Sequence, residues 1–275
     1  MNELAIKMNV FAQAAGRFIL WFAGFIGLML VCNVASAAEG GLQLSQTRVI
    51  FDARAKDTQA TIKNNSGQVY LIKADVFAPP DGRNTQTDPK SAVPFMVTPP
   101  LFRLEPNSQN SVLIVRNGAA QLPADRESVF YLSFLAIPST SDAAEGTQSG
   151  VSARISVGIQ SVIKLFYRPS GLSMPASEAA KKLTFSNTEH GLGISNPTPY
   201  YVTLSRLNVD GKSMDVKGTE AGAMLAPFST QYYPVNGTVR TVSWTTINDF
   251  GGESIEHQSA VKGIYLDSTS VLQKA

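Results

Sequence analysis

Short segments of alternating apolar and polar residues, rich in β-branched side chains, make up most of the chain beyond Ala38. Turn residues separate them, as between Asn64 and Gly67 and at Asn236-Gly237, which is typical of antiparallel strands. Helical periodicity is almost absent, so the pattern predicts an all-β protein built from β-sandwiches. The predicted strands are Leu42 to Phe51, Gln59 to Lys63, Tyr70 to Phe77, Ser111 to Val115, Ser128 to Leu135, Arg154 to Tyr167, Tyr200 to Leu207, Arg240 to Ile247 and Val261 to Leu266.

The N-terminal segment differs from this pattern. Basic residues precede an apolar run from Phe18 to Cys32, and the small residues Ala-Ser-Ala, ending at Ala37, then supply a signal-peptidase pattern. The run is shorter than the roughly 20 residues that a membrane-spanning helix needs. We therefore interpret residues 1–37 as a cleaved signal peptide, starting at Met1 or at Met8, and expect the protein to be exported.

Composition argues against several classes of function. With 275 residues, 44% of them hydrophobic and 16% charged, the chain is typical of a folded protein. A formal net charge of +2 gives no excess for binding nucleic acid, which we do not expect. Two histidines and one cysteine, Cys32 of the signal segment, leave little for a metal site or a His-centred triad. We expect that the protein is not an enzyme and binds no metal or cofactor. We also expect the mature chain to contain no disulfide.

A turn-rich stretch from Pro169 to Pro175 follows the longest predicted strand. It predicts a domain boundary, with one domain over residues 38–170 and a second over residues 171–275. A small, polar stretch from Pro138 to Gly150 indicates a loop in the first domain.

The strand predicted after that loop carries an apolar stripe. Ile155, Val157 and Ile159 share one strand parity, so their side chains lie on one face. Periodicity alone does not tell a core-facing strand from a binding surface. The sequence that follows, IKLFYRP from Ile163 to Pro169, places two cations among apolar residues at the predicted domain junction.

IKLFYRP resembles the signature of the PapD-like periplasmic chaperones, which assemble pili by the chaperone-usher route. Five further motifs resemble the same family and lie in the same order across both predicted domains. The resemblance implies two immunoglobulin-like β-sandwiches arranged as an L, with an interdomain cleft. The further motifs are TRVIF (47–51), TPPLFRLEP (98–106), LPADRESVFYLSFLAIP (122–138), NPTPYYVT (196–203) and INDFGG (247–252).

By this resemblance the protein is a chaperone of the Gram-negative periplasm that binds, folds and caps pilus subunits and delivers them to an outer-membrane usher. A subunit sandwich lacks its last strand, and the chaperone lends one of its own. Ile155, Val157 and Ile159 correspond by position to the donor residues. Without a subunit this stripe would be exposed, so we expect self-association through the strand, or its coverage by the loop after Pro138.

Two cations correspond to those that anchor the C-terminal carboxylate of a subunit in this family. They are Arg48 in TRVIF and Lys164 in IKLFYRP, and charge-assisted hydrogen bonds from both would fix the carboxylate and the register of the strand beside it. Lys164 has the opposite parity to Ile159. Either a bulge or strong twist lies between them, or the lysine faces the cleft while the stripe faces the subunit groove.

A second set of charged residues is Glu127, Arg168 and Asp249. The resemblance implies that they form an interdomain ionic cluster, in which the planar guanidinium holds two carboxylates. Their role would be to orient the domains. The first predicted strand also changes parity, with Leu42 on one face and Val49 on the other, which indicates a strand that kinks between two sheets.

Two other functions stay open on the sequence alone. A pilus subunit or adhesin would have one incomplete sandwich and an N-terminal donor segment, and a carbohydrate-binding β-sandwich would need an aromatic platform or unpaired carboxylates. The subfamily also stays open. The loop after Pro138 is long, yet the long-loop members typically carry a cysteine pair that the mature chain lacks.

Overall fold

The computed structural model describes residues 40–79, 93–117, 121–139, 157–219, 222–261 and 263. The signal-peptide prediction for residues 1–37 lies outside them. Within the described residues no helix has the length and apolar character needed to cross a membrane. A 3₁₀ helix over Ala176–Lys182 divides two sets of strands. The first set is β1 (Leu42–Leu44), β2 (Arg48–Asp52), β3 (Asp57–Asn64), β4 (Tyr70–Phe77), β5 (Phe95–Thr98), β6 (Leu101–Leu104), β7 (Ser108–Arg116), β8 (Ser128–Pro138) and β9 (Ile159–Arg168).

The first set forms two sheets that share one hydrophobic core, the first sandwich. One sheet has the order β1-β3-β7-β5 and the other β2-β9-β8-β4-β6. Alternate side chains from both sheets point inward, including Phe51, Ile72, Ile114 and Leu165.

The second set forms the second sandwich. One sheet has the order β10-β11-β15, and the other β13-β12-β16-β17 with β14 added to β12. Ile194 and Leu204 lie at its core, and the Trp244 ring packs 4.5 Å from that of Phe185. The strands are β10 (Thr184–Thr188), β11 (Gly191–Asn196), β12 (Val202–Val209), β13 (Lys212–Met214), β14 (Met224–Leu225), β15 (Ser229–Tyr233), β16 (Thr241–Thr246) and β17 (His257–Ala260).

The all-β prediction with two sandwiches is confirmed, and so is the kink in the first strand. Its two halves are β1, which pairs with β3, and β2, which belongs to the opposite sheet. The prediction for the last strand was wrong where it can be compared, since β17 ends at Ala260 and Val261 lies beyond it. The strand predicted from Arg154 is shorter at its start, because Val157 and Gly158 precede β9.

Candidate functional site

The first half of β9 has an open edge. Along one side β9 pairs with β8, from Ile159 opposite Ala136 to Tyr167 opposite Ser128. Along the other side the parallel strand β2 begins to pair only at Lys164. No strand in the described part of the chain pairs with that edge of residues 159–163. Its backbone groups can therefore accept a strand from another polypeptide.

Apolar side chains beside this edge lie in solvent. Val157, just before β9, is 70% exposed and Ile159 is 55% exposed. Further along the same face, Ile163 packs against the core of the first sandwich and Leu165 is fully buried. The stripe thus runs from the core of the first sandwich into solvent, so the interpretation as a core-facing strand holds for Leu165 and not for Ile159. Ile155 lies outside the described residues.

The parity of Lys164 is explained by the faces of β9. The pairing of β9 with β8 runs without a shift from Ile159 to Tyr167, so the described strand contains no bulge. Side chains of odd and even number therefore point to opposite faces. A bulge is therefore excluded for the described strand, and Ile159 lies on one face and Lys164 on the other.

Arg48 and Lys164 are placed side by side. Their Cα atoms are partners in the β2–β9 ladder, and neither residue forms a salt bridge within the described residues. Burial, and next the charge of Arg48, lower the pKa of Lys164. Burial also lowers the pKa of Arg48, against the opposing charges of Asp249 and Glu127. Two partly desolvated cations at paired positions of neighbouring strands favour an anion between them.

The Arg48 guanidinium reaches the second sandwich. Its Nη1 donates a hydrogen bond to the carbonyl oxygen of Ile247, at 3.2 Å, and the group lies 5.9 Å from the centre of the Phe166 ring. Its Nε is buried and has no hydrogen-bond partner in the described structure. A buried N–H without a partner costs free energy, so a ligand that accepts a hydrogen bond there would be favoured.

Glu127, Arg168 and Asp249 meet between the two sandwiches. Arg168 Nε lies 2.7 Å from Glu127 Oε1, and its Nη1 and Nη2 lie 2.7 and 2.9 Å from the two Asp249 oxygens. The second Glu127 oxygen accepts a hydrogen bond of 2.9 Å from the backbone N–H of Tyr201. The family resemblance implied three residues in this cluster, and the Tyr200 ring is a further neighbour, 5.1 Å from the guanidinium.

Burial sets the electrostatics of this cluster. It raises the pKa of Glu127, while the charge of Arg168 and the Tyr201 N–H act in the opposite direction. Burial opposes the charge on Arg168, but hydrogen bonds and attraction to Asp249 and Glu127 outweigh it and raise the pKa of the guanidinium. An arginine satisfied by two carboxylates is suited to hold two surfaces together and is poorly suited to proton transfer.

Further contacts between the sandwiches could not be found from the sequence pattern. The backbone N–H of Glu127 donates to the Pro199 carbonyl at 2.9 Å, and the Phe166 and Tyr201 rings lie 5.6 Å apart. The Arg126 guanidinium lies 4.9 Å from the Phe228 ring centre. Tyr201 lies within NPTPYYVT, so the motif marked its neighbourhood without indicating its contact.

A cavity of about 320 Å³ lies among these contacts. Arg48 and Arg168 border it, together with the aromatic rings of Phe166, Tyr201 and Phe250. No cluster of histidine, cysteine and carboxylate side chains suited to a metal ion occurs in the described parts of the chain.

Comparison with known families identifies this architecture. The N-terminal domain of PapD, described as a pili and flagellar-assembly chaperone, matches residues 41–173, and the C-terminal domain of the pili assembly chaperone PapD matches residues 178–258. The chain belongs to the PapD family of pilus-assembly chaperones. The two matched regions adjoin at the turn-rich stretch where the sequence predicts a domain boundary.

Relatives in the PapD family match over most of their length. The probable fimbrial chaperone protein ElfD of Escherichia coli K12 is 36% identical over 231 residues, which is 82% of this chain and 90% of ElfD. The crystal structure of the E. coli chaperone DraB superposes with a TM-score of 0.66 at 33% identity, covering 81% of this chain and 97% of DraB. A structure of the Salmonella enterica SafA pilin in complex with the SafB chaperone matches with a TM-score of 0.65 at 30% identity, over 80% of this chain and 96% of the matched chain.

Membership of the PapD family places the protein with pilus chaperones and not with pilus subunits. The roles expected for Arg48, Lys164, Ile159 and the ionic cluster stay predictions, now with defined geometry. Phe250 is a further residue near the site, with no role predicted from the sequence. The motif INDFGG contained it, but exposure of a single side chain is not visible in a sequence.

Proposed function

We propose that the protein is a periplasmic chaperone that lends β9 to pilus subunits, caps them and delivers them to an outer-membrane usher. The observation that carries this proposal is the open edge of residues 159–163, with Val157 and Ile159 exposed beside it. Residues 1–37 would direct export and be removed on the way.

The edge and the stripe together suit a subunit that lacks a strand. Such a subunit exposes unpaired backbone groups and an apolar groove, and both promote aggregation. A strand from the chaperone pairs with the backbone, while alternate side chains enter the groove, as in the known β-strand addition between chaperones and pilins. Each apolar side chain buried in this way contributes about 1.5–3 kcal/mol. Val157 and Ile159 therefore provide a large share of the affinity.

The two cations define where the bound strand ends. A free C-terminal carboxylate held by Arg48 and Lys164 would accept charge-assisted hydrogen bonds from both. Since a shift of one residue turns every side chain of a strand to its other face, a fixed end sets the register along the whole edge. Arg48 and Lys164 are themselves the first paired residues of β2 and β9, at the end of the open edge, which supports this assignment.

The cluster of Glu127, Arg168 and Asp249 would hold the two sandwiches in a fixed orientation. Two of its members belong to the first sandwich and one to the second. Buried ion pairs add little net stability but are costly to break one partner at a time. The cluster thus suits an orienting role, which keeps Arg48 and Ile247 within hydrogen-bond distance.

Co-purification tests the proposed function. The tagged full-length protein is expressed in a piliated Gram-negative host, recovered from the periplasmic fraction, and its bound polypeptides are identified by mass spectrometry. We expect pilus subunits in stoichiometric amounts, and their transfer when a purified usher is added. Recovery of the protein without any bound subunit, under conditions in which subunits are produced, would contradict the proposal.

A further inference from the structure

Phe250 is an aromatic residue whose side chain lies almost entirely in water. It is 95% exposed, more than any other large apolar residue in the described structure. It lies at the tip of a short turn, residues 248–252, in the second sandwich.

Hydrogen bonds and packing hold this turn in place. The side-chain oxygen of Asn248 accepts hydrogen bonds from the backbone N–H groups of Phe250 and Gly252, each 3.0 Å long. The Asn248 N–H donates to the Gly252 carbonyl at 2.8 Å. Asp249 is bound by Arg168, and Gly251 lies against the Thr47 side chain. The exposed position of Phe250 is therefore imposed by its neighbours.

The ring borders the cavity that contains Arg48. Ile50, Phe166 and Tyr201 line the same space, so its wall combines apolar and aromatic surface with two cations, Arg48 and the Arg168 that Glu127 and Asp249 neutralise. Single exposed apolar residues are common on proteins, and exposure alone indicates little. Here a second observation points to a ligand, because the Nε of Arg48 in the same wall is buried without a hydrogen-bond partner.

The charge of the site and the length of an extended chain indicate what binds in the cavity. Arg48 and Lys164 favour a carboxylate, and a polypeptide end supplies one together with side chains close to it. Three residues of extended chain span at most roughly 10 Å, so the last few side chains stay near the carboxylate. An apolar ring at the rim of the cavity would contact one of them.

We propose that Phe250 and this cavity form a subsite for a large apolar side chain among the last three residues of the bound subunit. The subsite selects which chain ends the chaperone accepts, in addition to the carboxylate itself. This inference rests on the proposed function, since it takes the carboxylate to lie at Arg48 and Lys164.

Peptide binding to the purified full-length mature protein tests the subsite. The probes are fluorescein-labelled peptides of alternating valine and threonine with N-terminal lysines for solubility. They carry serine at the last three positions, or leucine at one of them, and end in a free carboxylate or an amide. We expect leucine at one position to tighten binding about tenfold, which corresponds to burying much of one such side chain. In Phe250→Ser this gain is lost, and in Phe250→Leu most of it is kept.

The matched control is Ile255→Ser. Ile255 is also an exposed apolar residue of the second sandwich, at 75%, and does not border the cavity. This variant should keep the full leucine gain. If leucine gives no gain at any position, or the gain is unchanged in Phe250→Ser while the amide still weakens binding, the subsite is wrong and the carboxylate anchor stands. If peptides with carboxylate and amide bind equally, or none binds, the carboxylate anchor of the proposed function fails and the subsite with it.

Discussion

Arg48 and Lys164 lie directly opposite each other in the parallel pair of β2 and β9, the one parallel pairing among the described strands. Like charges at opposed positions of a sheet repel each other, and both pKa values are lowered by burial. The free protein is therefore less stable than it would be with a neutral side chain at one of the two positions. A binding site for an anion often has this property, because the ligand supplies the charge that the site lacks.

Lys164→Met should stabilise the free protein and abolish subunit binding. Removing one of two adjacent cations raises the free energy of unfolding at neutral pH by about 0.5 kcal/mol, while recovery of subunits from periplasmic extract is lost. In the native protein the folded pKa of Lys164 lies below its ordinary 10.5, so the charged lysine destabilises the fold at neutral pH. This destabilisation disappears as the pH rises through the folded pKa toward 10.5, and the stability gain of the variant disappears with it. Thermal denaturation at neutral and at alkaline pH measures this difference. Lys212→Met, an exposed lysine of β13, is the control, and unchanged subunit recovery in Lys164→Met would refute the carboxylate anchor.

Ile159→Asp and Leu165→Asp should have opposite effects, although both residues lie on one face of β9. Ile159 is half exposed, so a charge there changes the stability of the free protein by less than about 0.5 kcal/mol. In the complex the same charge enters an apolar groove and should abolish subunit recovery. Leu165→Asp places a charge in the core and should prevent folding. If Ile159→Asp also lowers the melting temperature strongly, the outer part of β9 belongs to the protein's own core.

Gly251→Ala should weaken the contact between the sandwiches. Gly251 has a φ of 85°, and an added Cβ would overlap the Thr47 hydroxyl. Gly237→Ala is the control, since Gly237 has a φ of 83° with open space around it and reports the backbone strain alone, about 1 kcal/mol. We expect Gly251→Ala to cost about 1–3 kcal/mol more than the control in urea denaturation. Thr47→Ala should recover part of this loss, and equal effects of the two glycine variants would show that the contact with Thr47 is unimportant.

Arg168→Met should leave the buried Glu127 carboxylate without its partner. Breaking such a pair costs about 3–5 kcal/mol, whereas Arg206→Met, which removes an exposed partner of Glu253, should have a far smaller effect. Burial raises the pKa of Glu127 and Arg168 opposes that effect, so the variant raises it further. A raised folded pKa means that stability is lost as the pH increases through it. Denaturation measured from neutral to acidic pH should therefore show partial recovery in Arg168→Met, and a loss no larger than that of Arg206→Met would argue against an orienting role.

The free protein should associate with itself through β9. An open edge with exposed apolar side chains is usually covered in soluble proteins, and a second copy can cover it. Sedimentation velocity over a wide concentration range should show association that a bound subunit reverses and Ile159→Asp removes. Ile255→Asp, which changes an exposed apolar residue elsewhere, should associate like the native protein. A protein that stays monomeric, with rapid amide exchange at residues 159–163, would contradict this prediction. The alternative cover, the loop after Pro138, lies largely outside the described residues.

Most strands of the first sandwich could be predicted from alternation, and Tyr70–Phe77 was predicted with its observed bounds. Strands of the second sandwich such as Thr184–Thr188 and Gly191–Asn196 were missed. They are rich in glycine, serine and asparagine, which have low strand propensity, and pairing with neighbouring strands decides their conformation. Charged residues of the site were identified through the family motifs, because a motif is defined by the type and order of its residues, which are visible in a sequence.

The sequence by itself determined the all-β class and the face of each strand on which a residue lies, since a period of two follows from the extended backbone. What covers each face was decided by the tertiary structure. Ile159 and Leu165 share a face and both have aliphatic side chains, yet one is exposed and the other is buried. The difference arises because β2 reaches along β9 only as far as Lys164, so that the open edge and exposed stripe lie beyond that limit. Contacts such as Gly251 with Thr47 join residues far apart in the chain, and no local pattern carries that information.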